Sequence, residues 1–192
     1  MDNALGISMM FLWLVVATNF MLTLAVIRRL NRDRQRVDRL EVGTRAPEFV
    51  AETVEGNVVR LADFASRSIL FVFVSPTCLP CRELIPVLED LQSGSARAGV
   101  EIRLVSTVGF EGTREFIEEL EIGIPTLVAP RDKNAFLDDY KGVGTPYYCL
   151  IDEDGRVKAS GYLDSAWDEL VSNWRSQPGE YEIRRLGVEP AL

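Results

Sequence analysis

Histidine is absent from the 192 residues, and cysteine occurs only three times. Without His there is no Ser-His or Cys-His catalytic pair, and transition-metal chemistry loses its commonest ligand. Three cysteines cannot build a disulfide scaffold. Basic residues are scarce after the first forty positions: from Glu41 onward 15 face 26 acidic ones, a net charge of −11. An acidic domain of this kind argues against nucleic-acid binding. Internal repeats and low-complexity tracts are missing as well, so solenoids and linker-rich arrays are excluded.

What is present begins with a run of 24 uncharged residues, Ala4 to Ile27. As a helix it is long enough to cross a bilayer. Asp2 stands where a signal peptide carries Lys or Arg, and no Ala-x-Ala site precedes the arginines, so the run reads as an uncleaved anchor. Thr18 and Asn19 are polar interruptions suited to facing another helix. Arg28, Arg29, Arg32, Arg34, Arg36 and Arg39 follow, and with Asp33 and Asp38 they give residues 28–40 a charge of +4. The positive-inside rule puts this cluster, and the domain behind it, in the cytoplasm. Alternatively the arginines continue the helix as a stalk touching lipid headgroups. The organisation expected is an anchor at 4–27, an Arg-rich connector at 28–40, one domain at 41–176 and a tail at 177–192 without an assignable role. A domain of roughly 140 residues can bury a real core.

That domain is organised around Ser75-Pro-Thr-Cys78-Leu-Pro-Cys81-Arg-Glu-Leu-Ile-Pro86. The apolar run Ser68–Val74 before it reads as a fully buried strand. After it, Leu84, Ile85, Leu88 and Leu91 mark one face of a helix, with Arg82, Glu83, Glu89 and Asp90 on the other. The first sulfur therefore falls at a helix N-terminus, where free N–H groups and the dipole favour a thiolate and make Cys78 a better nucleophile. Two intervening residues keep Cys81 within disulfide reach. A zinc site would need more Cys or His than the chain has, and c-type haem attachment would need His where Arg82 stands. A purely structural disulfide stays open, although such bridges usually close longer loops.

Elsewhere a hairpin is expected over Thr53–Leu61, turning at Glu55-Gly56-Asn57, and a helical turn over Leu61–Ala65. Gly94 and Gly99 should bracket the end of the active helix, and Pro86 should kink it. Strands are read at Val100–Thr107, Pro125–Ala129, Val143–Asp152 and Arg156–Ser160, with helices at Thr113–Leu120, Asn134–Tyr140 and Ala166–Trp174. Alternating strands and helices before a final hairpin indicate a mixed sheet with helices on both faces. Cys149 shares a strand face with Tyr147 and Ile151 and reads as a buried, inert thiol. A third redox role would require it to point towards Cys81.

Four segments in this order resemble the membrane-anchored thioredoxin-like proteins of the TlpA/ResA family: Val42-Gly-Thr-Arg-Ala-Pro-Glu-Phe49, Cys78-Leu-Pro-Cys81, Pro86, and Gly144-Thr-Pro146 with Leu150-Ile-Asp-Glu-Asp-Gly155. The anchor, the Arg-rich stalk and the Ser-Pro-Thr-Cys approach are similar to the MauD-type accessory proteins of methylamine utilisation. The resemblance implies an α/β thioredoxin-like fold, a mixed central sheet with helices on both faces, behind one transmembrane helix. It implies a thiol-disulfide oxidoreductase with Cys78 as nucleophile, Cys81 as resolving thiol, and Pro80 inside the motif. Pro146 would be cis against the sulfur pair, and Thr145 would offer its backbone to an incoming peptide. No cofactor beyond the Cys78–Cys81 disulfide and no metal is implied. The implied partners are protein thiols and disulfides, an upstream thiol donor or acceptor, and the membrane. Members of the family mostly work outside the cytoplasmic membrane, in conflict with the arginines, and substrates for a tethered redox domain are clearer on that side.

The sequence departs from the family pattern in three places. Thr77 stands where thioredoxins usually have Trp, Val72 where many have a buried acid, and Leu84 where some TlpA-like proteins have Glu. The proton acceptor for Cys81 is then unassigned; Glu83 is a candidate, and its other reading is a solvated carboxylate. Two further functions remain open. A thiol peroxidase would share the domain's opening motif, but Phe71 replaces the Pro of the peroxidase signature. A non-enzymatic, membrane-bound maturation or scaffold factor would keep its function in Cys78→Ser.

Overall fold

The computed structural model describes residues 2–35 and 39–175, with side chains over 9–26 and 39–175. The tail at 177–192 and the side chains of Arg28, Arg29, Arg32, Arg34 and Arg36 lie outside the described residues. Two compact units divide at Asp38 and Arg39.

The first unit carries helix α1 (Asp2–Gln35), so the arginine-bearing connector is helical as far as Gln35. Its window Met9–Val26 has a mean hydropathy of 2.0, long and apolar enough to cross a membrane by length and composition. Thr18 Oγ1 donates to Leu14 O at 2.8 Å and Thr23 Oγ1 to Asn19 O at 2.9 Å, so both hydroxyls are bonded within the helix.

In the second unit the strands are β1 (Val50–Thr53), β2 (Val58–Arg60), β3 (Ser68–Val74), β4 (Val100–Ser106), β5 (Thr126–Val128), β6 (Tyr147–Ile151) and β7 (Val157–Gly161). They form one mixed sheet in the order β2-β1-β5-β4-β3-β6-β7. Strand β3 lies parallel to β4 and antiparallel to β6, which explains a sequence apolar on both faces. The pleat sends its side chains alternately to two cores. Leu70, Val72 and Val74 meet Leu84, Ile85 and Leu88 of α2 (Leu79–Arg97), Phe116 of α3 (Phe110–Glu119), and Trp167, Val171 and Trp174 of α5 (Ser165–Arg175). Ile69, Phe71 and Phe73 meet Phe49, Phe64, Tyr140, Tyr147 and Phe136 of the short α4 (Phe136–Asp139). Each large side chain so buried contributes about 1.5–3 kcal/mol.

The β1–β2 hairpin turns through Gly56 at φ +88, as its Glu-Gly-Asn signal predicts. The open edge of β7 is covered by the chain entering the domain. Gly43 N–H donates to Val157 O at 2.8 Å, Val157 N–H to Thr44 O at 2.9 Å, and Arg156 Nη1 to Gly43 O at 2.8 Å. Arg39, the last residue of the basic cluster, pairs with Asp164 at 2.7 Å. Edge pairing of this kind removes a template for aggregation.

Gly94 and Gly99 bracket the end of α2 as expected: the helix runs through Gly94 to Arg97 and stops before Gly99 at φ +72. A Cβ at Gly94 would stand 2.6 Å from the Trp174 carbonyl oxygen, so Gly is there to let α5 approach. The strand read from Val143 begins at Tyr147, because residues 143–146 turn through a cis Thr145–Pro146 bond.

Candidate active site

Strand β3 delivers the chain to the sheet's C-terminal edge, and α2 starts immediately afterwards with Cys78 as its N-cap. The Cys81 N–H donates to Cys78 Sγ at 3.3 Å, so the sulfur takes a bond that helix starts usually receive from Ser or Asp. Cys78 and Cys81 form a disulfide, with Cα atoms 5.2 Å apart. The two sulfurs differ in access: Cys78 is half-buried, whereas Cys81 is 0% exposed and belongs to the α2 core. Only Cys78 can be approached from solvent. Leu79 beside it is 66% exposed and Pro80 is exposed too.

Across from the disulfide, the Thr145 carbonyl oxygen lies 3.4 Å from Cys78 Sγ. Pro146 is buried behind it, and Thr145 sits just beyond the last β3–β6 pair, Phe73 with Tyr147. The fold therefore brings together Cys78, Cys81, Thr145 and Pro146. It also supplies a brace with no sequence signal. Arg82 forms a bidentate pair with Glu119 of α3, lies 5.8 Å over the Phe116 ring, and reaches the Pro76 carbonyl at 3.4 Å. The guanidinium holds the Glu119 carboxyl below its ordinary range.

Residues 41–176 match the model of the redoxin family. The chain belongs to that family. Thiol-disulfide oxidoreductase ResA of Geobacillus thermodenitrificans is 33% identical over 120 residues, covering 61% of this chain and 67% of the relative. ResA of Bacillus thuringiensis is 27% identical over 122 residues, 62% of this chain and 69% of the relative. Among solved structures, the thioredoxin domain of a thiol-disulfide oxidoreductase from Bacteroides vulgatus superposes with a TM-score of 0.60 at 27% identity, over 70% of this chain and 98% of that domain. A thiol:disulfide interchange protein from a Bacteroides species does so at 0.60 and 27%, over 72% and 93%. The fold is thioredoxin-like, and the protein is a thiol-disulfide oxidoreductase of the TlpA/ResA type.

Within this redoxin the departures noted in the sequence have structural consequences. Val72 is 0% exposed and Leu84 5%, both inside the core that holds Cys81. Glu83 is exposed on α2, away from that core. Among the described residues the buried polar side chains are hydroxyls, Ser95, Ser106, Thr113, Thr126 and Ser160, so no buried carboxylate stands near Cys81. Phe71, at the peroxidase Pro position, lies in the aromatic core on the other side of the sheet.

Cys149 lies on that other side too, with Phe71 and Tyr147, so it does not face Cys81. Burial pushes its thiol up to about 12. A folded value above the unfolded one of about 8.5 means that stability is unaffected below pH 8 and is lost as pH rises towards 12. Iodoacetamide at pH 8 is accordingly expected to leave Cys149 unmodified in the folded oxidised protein and to label it fully after unfolding in guanidinium. Mass spectrometry reads the difference, and rapid labelling of the folded protein would contradict the burial.

Proposed function

We propose that this redoxin is a membrane-tethered enzyme that exchanges its Cys78–Cys81 pair with protein thiols and disulfides. In the reducing direction the Cys78 thiolate attacks a substrate disulfide, forming a mixed disulfide and releasing one substrate thiolate. Cys81 then gives up its proton and attacks Cys78 Sγ, which closes the Cys78–Cys81 bond and releases the second substrate thiolate. Two electrons pass from the dithiol to the substrate, and an upstream dithiol restores the reduced pair. The oxidising direction runs the same steps backwards. No cofactor or metal enters either direction. The observation that carries the reading is the asymmetric disulfide at the start of α2, one sulfur accessible and one buried, with the Thr145 carbonyl beside the accessible one. Thr145 offers a backbone edge to a substrate polypeptide, and Pro146 holds that edge in place.

Helix α1 provides the tether, and the stalk and the Ser-Pro-Thr-Cys approach suit a MauD-type accessory role. The domain is placed outside the cytoplasmic membrane, where protein disulfides persist, against the positive-inside expectation from Arg28–Arg39. The test is reduction of insulin disulfides by the full-length protein in detergent, with dithiothreitol as the electron source. Turnover well above that of dithiothreitol alone supports the reading. A rate equal to dithiothreitol alone overturns it.

A further inference from the structure

We propose that Arg131 and Tyr162 form a two-sided clamp on Val143 that positions the Thr145–Pro146 loop over Cys78, and that polypeptide disulfides depend on this clamp whereas small disulfides do not. The proposal rests on the oxidoreductase reading above and concerns how the same site selects its substrate.

Val143 lies outside every strand, and both of its backbone polar groups are taken by side chains. Arg131 Nη1 donates to the Val143 carbonyl at 3.0 Å, and the Val143 N–H donates to the Tyr162 hydroxyl oxygen at 3.0 Å. The two clamping residues come from separate parts of the sheet. Arg131 follows β5, where its own N–H donates to Thr107 O at 3.1 Å, and Asp138 fixes its guanidinium through Nη2 at 2.9 Å. Tyr162 follows β7 and packs edge-on against the Tyr147 ring at 5.2 Å, directly behind Pro146. The base of the loop is held as closely. Gly142 N–H donates to Leu137 O at 2.9 Å, and a Cβ on Gly142 would collide with the Leu137 side chain. Gripped in this way, Val143 turns its side chain outwards, where it is 65% exposed, two residues from the carbonyl that meets Cys78.

Pro146 has no N–H to give the ladder, so β6 starts only at Tyr147, and two side chains take the backbone groups of Val143 that no strand partner takes. A small disulfide has no extended backbone to lay along the loop. A polypeptide has to lay its backbone beside Thr145, so the loop's position enters its binding.

Tyr162→Phe removes the acceptor and keeps the ring on Tyr147. Arg131→Met removes the donor and keeps most of the stem, leaving Asp138 at the surface. The wild type and both variants are compared, full length in detergent, for dithiothreitol-driven reduction of insulin and for reaction of the reduced protein with oxidised glutathione. The expected result is a KM for insulin raised about three- to tenfold in each variant, the fold-change of one net hydrogen bond. kcat, the oxidised-glutathione rate and the redox equilibrium constant of the Cys78–Cys81 pair should stay within about twofold of the wild type, changes that would correspond to less than one such bond. Equal losses on both substrates, or no loss on either, overturn the clamp while an active wild type leaves the oxidoreductase reading standing. A wild type inactive on insulin overturns both.

Discussion

Cys81→Ser is expected to turn the protein into a covalent trap. The variant keeps Cys78 at the start of α2, half-buried and beside Thr145, so it still attacks a partner disulfide. It has lost the only sulfur bonded to Cys78, so the mixed disulfide is not resolved from within. In intact cells, bands sensitive to dithiothreitol should accumulate on the order of a hundredfold over wild type, because release then waits for an outside thiol. Cys78→Ser should accumulate none, since Cys81 is 0% exposed and cannot meet a partner. Its insulin activity should fall to the level of dithiothreitol alone. The partners recovered also fix the side of the membrane. Secreted or envelope proteins place the domain outside, whereas cytoplasmic thiol proteins keep the chemistry and vindicate Arg28–Arg39. An empty trap in a protein whose Cys78 is readily alkylated would favour a scaffold function.

The trap could be designed from the sequence because the chemistry of Cys78 is local. A buried strand, two cysteines three apart and a helix suffice to put one sulfur at a helix start, and nothing distant alters that. Periodicity also located β3 to β7 and α2 to α5, since a pleat or a helical turn repeats over neighbouring residues, whereas β1, at Val50–Thr53, lies ahead of the hairpin read from Thr53. What was not legible depends on partners far along the chain. Gly94 was read only as one of two glycines flanking the end of α2, and the approach of Trp174 shows that it is a packing residue as well. Val143 looked like the start of β6, because the residues that take its backbone groups are 12 and 19 positions away. Arg82 gave no hint of Glu119, 37 residues on. A site's reactive atoms can be local while the loop that presents substrate to them is not.

Val72→Asp should produce the second large effect, in stability and chemistry at once. Val72 is 0% exposed, pairs with Leu104 and Tyr148 in the sheet, and points into the core that contains Cys81. An aspartate there has no buried cation to pair with among the described residues, so desolvation raises its folded pKa above the unfolded value of about 3.9. The folded state then binds the extra proton. Stability is least affected below about pH 4 and declines as pH rises to the folded pKa, by about 1.4 kcal/mol for each pH step of one between the two values. A folded pKa of about 7 would cost roughly 4 kcal/mol more at about pH 8 than at about pH 4, which urea titrations at those two pH values would read. The same carboxylate would sit in the core of Cys81 as a proton acceptor, the position a buried acid occupies in many thioredoxins. Resolution of a preformed mixed disulfide at Cys78 should accelerate roughly tenfold or more near neutral pH, within the reach of general base catalysis. If stability falls as expected but resolution keeps the wild-type rate, then the Cys81 proton leaves directly to water, and the apolar Val72 and Leu84 reflect a site that works without an internal base.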